Sequence, residues 1–522
     1  MTDQGKQAHP HVNPWIVAIS VMFSTFMEVL DTTVVNVSLP HISGSLSATI
    51  DESTWALTSY LVANAVVLPL TGWLANQFGR KRLLMLSVSG FTAASFLCGL
   101  APTLKLLILF RVIQGLTGGA LQPLSQAVLL EAFAPRDRGK AMGFWGLGIV
   151  VAPILGPVLG GWLTDSYSWR WVFYINLPIG IISLIMTRLF IFDPPYIGRR
   201  STRVDYWGIG LLTLGIATLQ ILLDKGQEED WFESHAMVFL AVVAGISLAA
   251  FIVRELVADE PVLHLKVFRD RTYSTGVFLM TTLGFVLFGS LVMLPILLQT
   301  LLGYPSLQAG IALAPRGIGS FIAMPVIGII LARFGPRKLL PLGLAGASFT
   351  LFWFGQLNLN AGYWDFFWPQ FIQGISLGLL FVPLTTITMD GIPREEMGNA
   401  TSIFNLMRNI GGSTGIATVT TMLERNQQSL INRLGESVHP YNPGARALLY
   451  QLRAGFIARG SDVTTATKRA YAAAFGLVEQ HAAMLSFVQI FRFLGFVFLV
   501  LIPLILIMRN PSHQRGEGPA AH

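Results

Sequence analysis

Residues 72–84 read GWLANQFGRKRLL, and residues 328–340 read GIILARFGPRKLL. Each copy lies between two long apolar runs and holds two glycines followed by basic residues. The triplet Ile-Gln-Gly at 113–115 recurs at 372–374, at nearly the same distance from the longer motif. Motifs that return in the same order predict an internal duplication. Because basic loops favour one side of a membrane, the two copies should have the same orientation.

The composition is that of a membrane protein. Hydrophobic residues make up 53% and charged residues 12% of the 522 residues, with a mean hydropathy of +0.59. Soluble domains hold about 25% charged residues. We therefore predict an all-α polytopic membrane protein with 14 transmembrane helices, at about 15–38, 53–76, 82–101, 104–131, 139–163, 169–192, 204–224, 236–257, 272–300, 306–333, 338–356, 365–390, 398–423 and 484–508.

The positive charge is concentrated in short loops on the side of the termini. This bias accounts for the net charge of +7 without a nucleic-acid partner and assigns both termini to the cytoplasm. The predicted organisation is a cytoplasmic N-terminus at 1–13, a six-helix half at 14–192, a linker with two extra transmembrane helices at 193–271, a second six-helix half at 272–508 with a long periplasmic loop at 424–483, and a cytoplasmic tail at 509–522.

The first span carries two carboxylates, Glu28 and Asp31, one helical turn apart. A charge at the centre of a membrane helix costs roughly 2.5 kcal/mol or more, so a role in transport is expected. Arg111 lies at a matching depth, about 10 Å in, and either pairs with Asp31 or snorkels outward. Asp31, Glu28 and Arg111 are the predicted proton-coupling residues: Asp31 stays charged beside Arg111, whereas apolar surroundings favour the protonated form of Glu28. The alternative is a pair satisfied by backbone or water.

Two further patterns suit moving helices. The loop after the second span combines tight-turn glycines with polar and basic residues, at Gly72, Asn76, Gly79 and Arg80. The fifth span carries helix-kinking prolines and a smooth glycine face, at Pro153, Gly156, Pro157, Gly160 and Gly161. Taken alone, the first could be an ordinary basic loop and the second an ordinary glycine-rich packing helix.

Polar residues within the spans are candidates for a substrate cavity. The predicted set is Thr25, Thr32, Asn36, Gln114, Gln373 and Arg408. Arg316 and Arg408 could attract an anionic substrate or close a charge network. Glu131 could be a second proton station or a plain interface residue.

Across nearly the whole chain the sequence resembles the fourteen-helix drug:proton antiporters of the major facilitator superfamily, especially the EmrB-type exporters. The resemblance rests on LDTTVVNVSLP at 30–40, FRVIQG at 110–115, the loop at 72–84, which resembles motif A, and the glycine-proline run of the fifth span, which resembles motif C of antiporters. It implies a major facilitator fold and proton-driven export of hydrophobic or amphipathic toxic compounds across the bacterial inner membrane. It also implies a periplasmic membrane-fusion adapter and a TolC-type outer-membrane channel as partners, and no cofactor beyond the proton gradient.

The sequence departs from the family pattern at Asn76, where an Asp is usual, so the charge pairing of that Asp is absent or replaced. Two other functions stay open. The first is uptake or facilitated diffusion, which motif C disfavours. The second is a membrane enzyme or sensor, which would need a soluble domain.

Within 424–483 we predict a helix at about 444–458 and another beginning at Ser461-Asp462. This hairpin could be a lid, a docking surface or a connector.

Overall fold

The structure, a computed structural model, describes residues 13–193, 205–258, 261–439 and 441–508. The predicted termini and most of the segment between spans 6 and 7 therefore lie outside the described residues. The α-helices in the described ranges are α1 Pro14–Ser45, α2 Ile50–Phe78, α3 Arg80–Leu100, α4 Leu104–Gly118, α5 Leu121–Ala132, α6 Arg138–Ser166, α7 Trp171–Tyr174, α8 Asn176–Phe190, α9 Tyr206–Lys225, α10 His235–Val257, α11 Arg271–Ile296, α12 Ser306–Phe334, α13 Pro336–Phe354, α14 Tyr363–Asp390, α15 Met397–Gly435, α16 Pro443–Ala458 and α17 Val463–Leu501.

The chain is a multi-pass helical membrane protein. In the described ranges, 12 helical segments are long and apolar enough to cross a membrane. Helices α13 and α15 cover the predicted spans 338–356 and 398–423 without being among those 12. Helix α15 is rich in buried polar side chains such as Asn399 and Asn405, which lower its apolar character. The all-α membrane class is confirmed, and the number of 14 spans stays a prediction.

Two predicted spans are broken helices. The span at 104–131 consists of α4 and α5, separated at Gly119 and Ala120. A Cβ atom at Gly119 would lie 2.5 Å from the backbone oxygen of Asn64, so the missing side chain permits close approach to α2. Pro123 is the third residue of α5, and because proline has no backbone N–H, it removes a hydrogen-bond donor there. The span at 169–192 similarly consists of α7 and α8.

The two halves meet at the end of the bundle that carries the basic motifs, which we call the basic end. A Cβ atom at Gly72, on α2, would lie 2.7 Å from Asn399 Cα on α15. A Cβ atom at Gly328, on α12, would lie 2.7 Å from the backbone oxygen of Gly139 on α6. The repeated motif therefore makes the same kind of contact twice, each time between one half and the other. Glycine at both positions allows the backbones to touch.

At the end of the bundle opposite the basic end, the first inserted helix, α9, connects the two halves. Lys225, the last residue of α9, donates a hydrogen bond of 2.6 Å to Thr54 Oγ1 on α2. The Trp231 indole nitrogen, just beyond α9, donates to Thr421 Oγ1 on α15 at 2.9 Å. Five residues before the end of α9, Gln220 donates to Ser413 Oγ on α15 at 2.8 Å. One inserted helix is thus hydrogen-bonded to both halves.

The segment 424–483, predicted as a loop, is largely helical. Helix α15 continues to Gly435, and α16 follows at Pro443–Ala458. The Asp462 carboxylate caps the next helix by accepting hydrogen bonds of 3.0 Å from the amides of Thr464 and Thr465. The predicted helix at 444–458 and the predicted start at Ser461-Asp462 are therefore confirmed. Helix α17 then runs without interruption into the last apolar segment.

Candidate functional site: a buried acid–arginine cluster and its counterpart

Asp31 lies at the centre of a closed polar cluster inside the first half. Its side chain has no solvent exposure, and its Oδ2 atom lies 2.6 Å from Arg111 Nη1. The other oxygen, Oδ1, accepts hydrogen bonds from Gln114 Nε2 at 3.0 Å and Asn176 Nδ2 at 2.7 Å. Both carboxylate oxygens are thus used, and donors from two other helices, α4 and α8, hold the group in place.

Arg111 is also held by several contacts, although its Nη2 has no hydrogen-bond partner among the described residues. It is fully buried, and its Nε donates to the backbone oxygen of Ala56 at 2.9 Å. Its Nη1 also donates to Gln114 Oε1 at 2.8 Å, and the guanidinium lies 4.1 Å from the centre of the Tyr60 ring. An arginine that snorkels would carry its guanidinium outward. The Arg111 side chain instead turns into the bundle and lies beside Asp31, the carboxylate predicted as its partner from their matching depth.

Glu28 is less completely bonded than Asp31. It is 4% exposed, and its Oε1 accepts one hydrogen bond of 2.9 Å from Asn64 Nδ2. Its Oε2 forms no hydrogen bond of normal geometry among the described residues, although the Gln122 side chain lies close to the carboxylate. Arg408, on α15 of the other half, is close enough to interact with Glu28 electrostatically and donates a hydrogen bond to Gln122 on α5. Glu28 therefore lies where the two halves face each other.

The predicted cavity residues divide into several environments. Gln114 is fully buried in the Asp31 cluster. Thr25 is also fully buried and accepts a hydrogen bond of 3.1 Å from the Trp145 indole nitrogen. Thr32 bonds to its own helix, at 2.8 Å from the backbone oxygen of Val29. Asn36 is exposed, one helical turn further along the same face.

Gln373 is placed apart from that group, in the second half. It is 5% exposed and lies on α14. Arg408 is the predicted cavity residue whose side chain crosses between the halves, through its bond to Gln122. Thr25, Thr32 and Asn36 thus all lie on α1, the first two within about one helical turn of Glu28 and Asn36 about two turns away, whereas Gln373 lies on α14 of the second half.

The loop at 72–84 contains a required glycine and a buried arginine. Gly79 has φ = 82°, a conformation that favours glycine, and separates α2 from α3. Arg80 is buried and forms an ion pair with Glu131 on α5. Asn76 is exposed. Asp193 accepts a hydrogen bond of 2.8 Å from the Lys81 amide, so a carboxylate from beyond α8 meets this loop.

The glycines of the fifth span pack α6 tightly against α1. A Cβ atom at Gly156 would lie 2.6 Å from Thr33 Cβ, and one at Gly160 would lie 2.8 Å from the backbone oxygen of Val34. Gly161 has more room, since its Cβ would lie 4.0 Å from a methyl carbon of Val37. Pro153 and Pro157 lie within the same helix, which continues from Arg138 to Ser166. The helix that carries Glu28 and Asp31 therefore moves only with α6 or by sliding against it.

Several residues of the site escaped sequence reasoning. Asn64 and Asn176 bond directly to the two carboxylates, and Tyr60 lies under the Arg111 guanidinium. Gln122 contacts Arg408 across the halves. A search for amide side chains in the middle of apolar spans would have selected the asparagines and the glutamine. Nothing in the sequence distinguishes Tyr60 from other aromatic residues.

A duplicated helical bundle with buried charges on facing helices is the architecture of a membrane transporter.

Comparison with known proteins identifies the kind of transporter. A family model described as Major Facilitator Superfamily matches residues 21–416, so the chain belongs to that superfamily. The Multidrug export protein EmrB of Escherichia coli (strain K12) is 38% identical over 510 residues, which cover 97% of this chain and 98% of the relative. The Fatty acid resistance protein FarB of Neisseria gonorrhoeae is 38% identical over 513 residues, which cover 96% and 97%. The predicted family, and transport rather than catalysis, are confirmed.

Solved structures agree on the fold. The human organic anion transporter MFSD10 has a TM-score of 0.62 at 12% identity, covering 94% of this chain and 99% of that one. A double tryptophan mutant of XylE also has a TM-score of 0.62, at 14% identity, covering 95% and 96%. At such identities the likeness shows the fold alone, and it confirms the predicted major facilitator fold.

Proposed function

We propose that this protein is a proton-coupled antiporter that exports hydrophobic or amphipathic toxic compounds. The observation that carries the proposal is the unequal bonding of the two carboxylates in α1. Asp31 uses both oxygens and pairs with Arg111, which suits a permanently charged group. Glu28 has one hydrogen bond of normal geometry, from Asn64, and its second oxygen is less firmly bonded, which suits a carboxyl that gains and loses a proton. The names of the two relatives, multidrug export and fatty acid resistance, support export as the direction.

Glu28 is also placed to link proton binding to movement of the halves. The contacts around Gly72 and Gly328 join the halves at the basic end, which is cytoplasmic in this proposal. Arg408 of the second half faces Glu28 of the first. Protonation removes the negative charge of Glu28 and with it the attraction to Arg408. The interaction between the halves therefore changes with the protonation state, as alternating access requires.

The cellular setting is part of the same proposal. The protein lies in the bacterial inner membrane with both termini in the cytoplasm, uses the proton gradient as its energy source and needs no cofactor. A periplasmic membrane-fusion adapter and a TolC-type outer-membrane channel complete a tripartite pump. The helical pair α16 and the start of α17 lies at the periplasmic end in this orientation and is the segment for adapter docking. Deleting residues 444–458 should abolish crosslinking to the adapter, and unchanged crosslinking would remove the docking role.

Drug-driven proton movement in inverted membrane vesicles tests the coupling. Addition of an exported compound should release protons from energised vesicles that contain the unaltered protein. Glu28→Gln and Asp31→Asn should each abolish this release, whereas Glu229→Gln, which changes an exposed carboxylate near the end of α9, should preserve it. Normal coupling in both α1 variants would refute the roles given to the pair. Accumulation of the compound by intact cells, instead of extrusion, would favour uptake.

A further inference from the structure

The second half contains a counterpart of the Asp31 cluster. A side chain at Gly115, on α4, would meet the backbone oxygen of Tyr60 and would lie 3.1 Å from the amide nitrogen of Asn64. A side chain at Gly374, on α14, would meet the backbone oxygen of Arg316 and would lie 2.8 Å from the amide nitrogen of Ser320. Because these glycines end the repeated Ile-Gln-Gly triplet, Arg316 holds in the second half the place of Tyr60 in the first.

The same repeat aligns two residues of α14 with members of the Asp31 cluster. Gln370 corresponds to Arg111, and Gln373 corresponds to Gln114. Arg316 Nη2 lies 3.5 Å from Ser290 Oγ on α11, the first helix of the second half. We call Arg316, Ser290, Gln370 and Gln373 the C-terminal polar cluster. Its cation therefore comes from α12, whereas the cation of the first cluster comes from α4.

The two clusters differ in charge. In the first half, the Asp31 carboxylate neutralises Arg111 at 2.6 Å. Arg316 forms no ion pair with any residue that the structure describes. Its hydrogen-bond partner is the neutral Ser290, and Gln370 Oε1, also buried, accepts no hydrogen bond within the described ranges. The C-terminal polar cluster thus holds a positive charge with no acid of its own.

Arg316 is accessible although its neighbours are buried. Gln370 is 1% exposed, Ser290 is 3% and Gln373 is 5%, whereas Arg316 is partly exposed. Its guanidinium turns toward the buried Ser290, which places it on the inner side of the helix and not on the lipid side. A cation inside the membrane usually pairs with an acid or with backbone carbonyls. Among the described residues the Arg316 side chain has neither, and its hydrogen bond goes to the Ser290 hydroxyl. A guanidinium binds a carboxylate with two parallel, charge-assisted hydrogen bonds.

We propose that the C-terminal polar cluster is a carboxylate-binding subsite for the exported compound, with Arg316 as the residue that selects acidic substrates. The carboxylate of the substrate binds the Arg316 guanidinium and receives a further hydrogen bond from Ser290 or Gln373. In this arrangement the substrate supplies the negative charge that Asp31 supplies in the first half. The inference rests on the proposed export function and names the chemical class of compound that the export site selects.

Equilibrium binding to the purified, full-length protein in detergent tests the subsite without a proton gradient or a partner. Three probes share one aromatic body: naphthoate, the uncharged naphthamide and the cation naphthylmethylammonium. Arg316→Gln should weaken naphthoate binding about tenfold or more, because the lost bonds are charge-assisted. It should leave naphthamide within about twofold and leave or strengthen naphthylmethylammonium binding, and Arg316→Lys should retain part of the naphthoate affinity.

A matched control separates a local effect from a general one. Arg492 is also a cation of the second half, but its Nε donates to the backbone oxygen of Gly355 at 3.0 Å, so Arg492→Gln should leave naphthoate binding unchanged. Equal loss of all three probes in Arg316→Gln, or no naphthoate binding by the unaltered protein, would overturn the subsite. The export function is judged independently, by proton release from vesicles driven by naphthylmethylammonium, whose binding does not need Arg316.

Discussion

Exchanging Arg111 for glutamine tests whether the Asp31 cluster is held together by one ion pair. Gln370 occupies the corresponding place in the second half, so glutamine is compatible with this helix position. In Arg111→Gln, Asp31 keeps its charge and its bonds to Gln114 and Asn176 but loses its counterion at 2.6 Å. Both partners are fully buried, so the remaining carboxylate has no access to solvent.

The magnitude follows from the burial of the pair. Breaking a buried ion pair by removing one partner costs about 3–5 kcal/mol, because an uncompensated charge remains. Asp31→Asn in the Arg111→Gln background removes that charge. The double variant still lacks the hydrogen bond to the Ala56 backbone oxygen and the stacking on Tyr60, which together cost about 1–3 kcal/mol. We therefore expect the second substitution to restore roughly 2 kcal/mol of the free energy of unfolding.

Stability and transport should respond differently, which makes the experiment decisive. Unfolding of the purified protein by increasing sodium dodecyl sulfate, followed by intrinsic tryptophan fluorescence, gives the stability of both single variants and of the double variant. Proton release from vesicles should be lost in all three, because rescue of folding does not restore the charged pair. A double variant that is less stable than Arg111→Gln alone would refute the ion-pair account, since two independent losses would simply add.

Further predictions concern helix packing and the inserted helices. Gly72→Val should push α2 away from α15 and lower stability by about 1–3 kcal/mol, measured by detergent unfolding, with Gly245→Val as the control because a side chain there meets nothing within 4 Å. Gly156→Val should lower stability by a similar amount, because the new side chain would push α6 away from α1, and it should also slow export in vesicles. Full activity would argue against tight α1–α6 packing. Thr58→Val should leave the Asp224 carboxylate on α9 without its hydrogen bond from α2 and cost about 1–3 kcal/mol in the same unfolding assay, whereas an unchanged midpoint would show that this contact holds nothing.

The positions of residues along the membrane normal could be predicted from the sequence, because helix geometry alone determines them. A residue's depth in a membrane follows from its distance along the helix, and matching depth was enough to pair Asp31 with Arg111. Rotation about the helix axis and the tilt of neighbouring helices depend on tertiary packing. The asparagines that complete the site, Asn64 and Asn176, were therefore missed although both lie within predicted spans. The placement of Gln114 at Asp31 instead of in a cavity has the same cause.

Hydropathy was less informative for helices that are buried among other helices. Helix α15 passes between both halves and satisfies its polar side chains internally, as Asn405 does by donating to Gln126 on α5 at 2.6 Å. Such a helix needs little apolar surface, so α15 is less apolar than the 12 candidate membrane spans, although the sequence did predict a span at 398–423. Within the segment after it, the predicted helix at 444–458 and the predicted start at Ser461-Asp462 are both present in the structure. The continuation of α15 as far as Gly435 was not predicted.

The glycine contacts explain how one duplicated scaffold carries two different chemistries. Gly115 and Gly374 each hold a neighbouring backbone in the same position, next to Tyr60 in one half and next to Arg316 in the other. This contact requires glycine on one helix but involves only the backbone of the facing residue, Tyr60 or Arg316, so it does not restrict the side chain of that residue. Side chains at that position were therefore free to diverge after duplication while the helices kept their packing. The Asp31 cluster retains an acid with its own arginine, and the C-terminal polar cluster retains a cation without an ion-pair partner among the described residues. Under the proposed function, the proton and an anionic compound would therefore bind at separate sites.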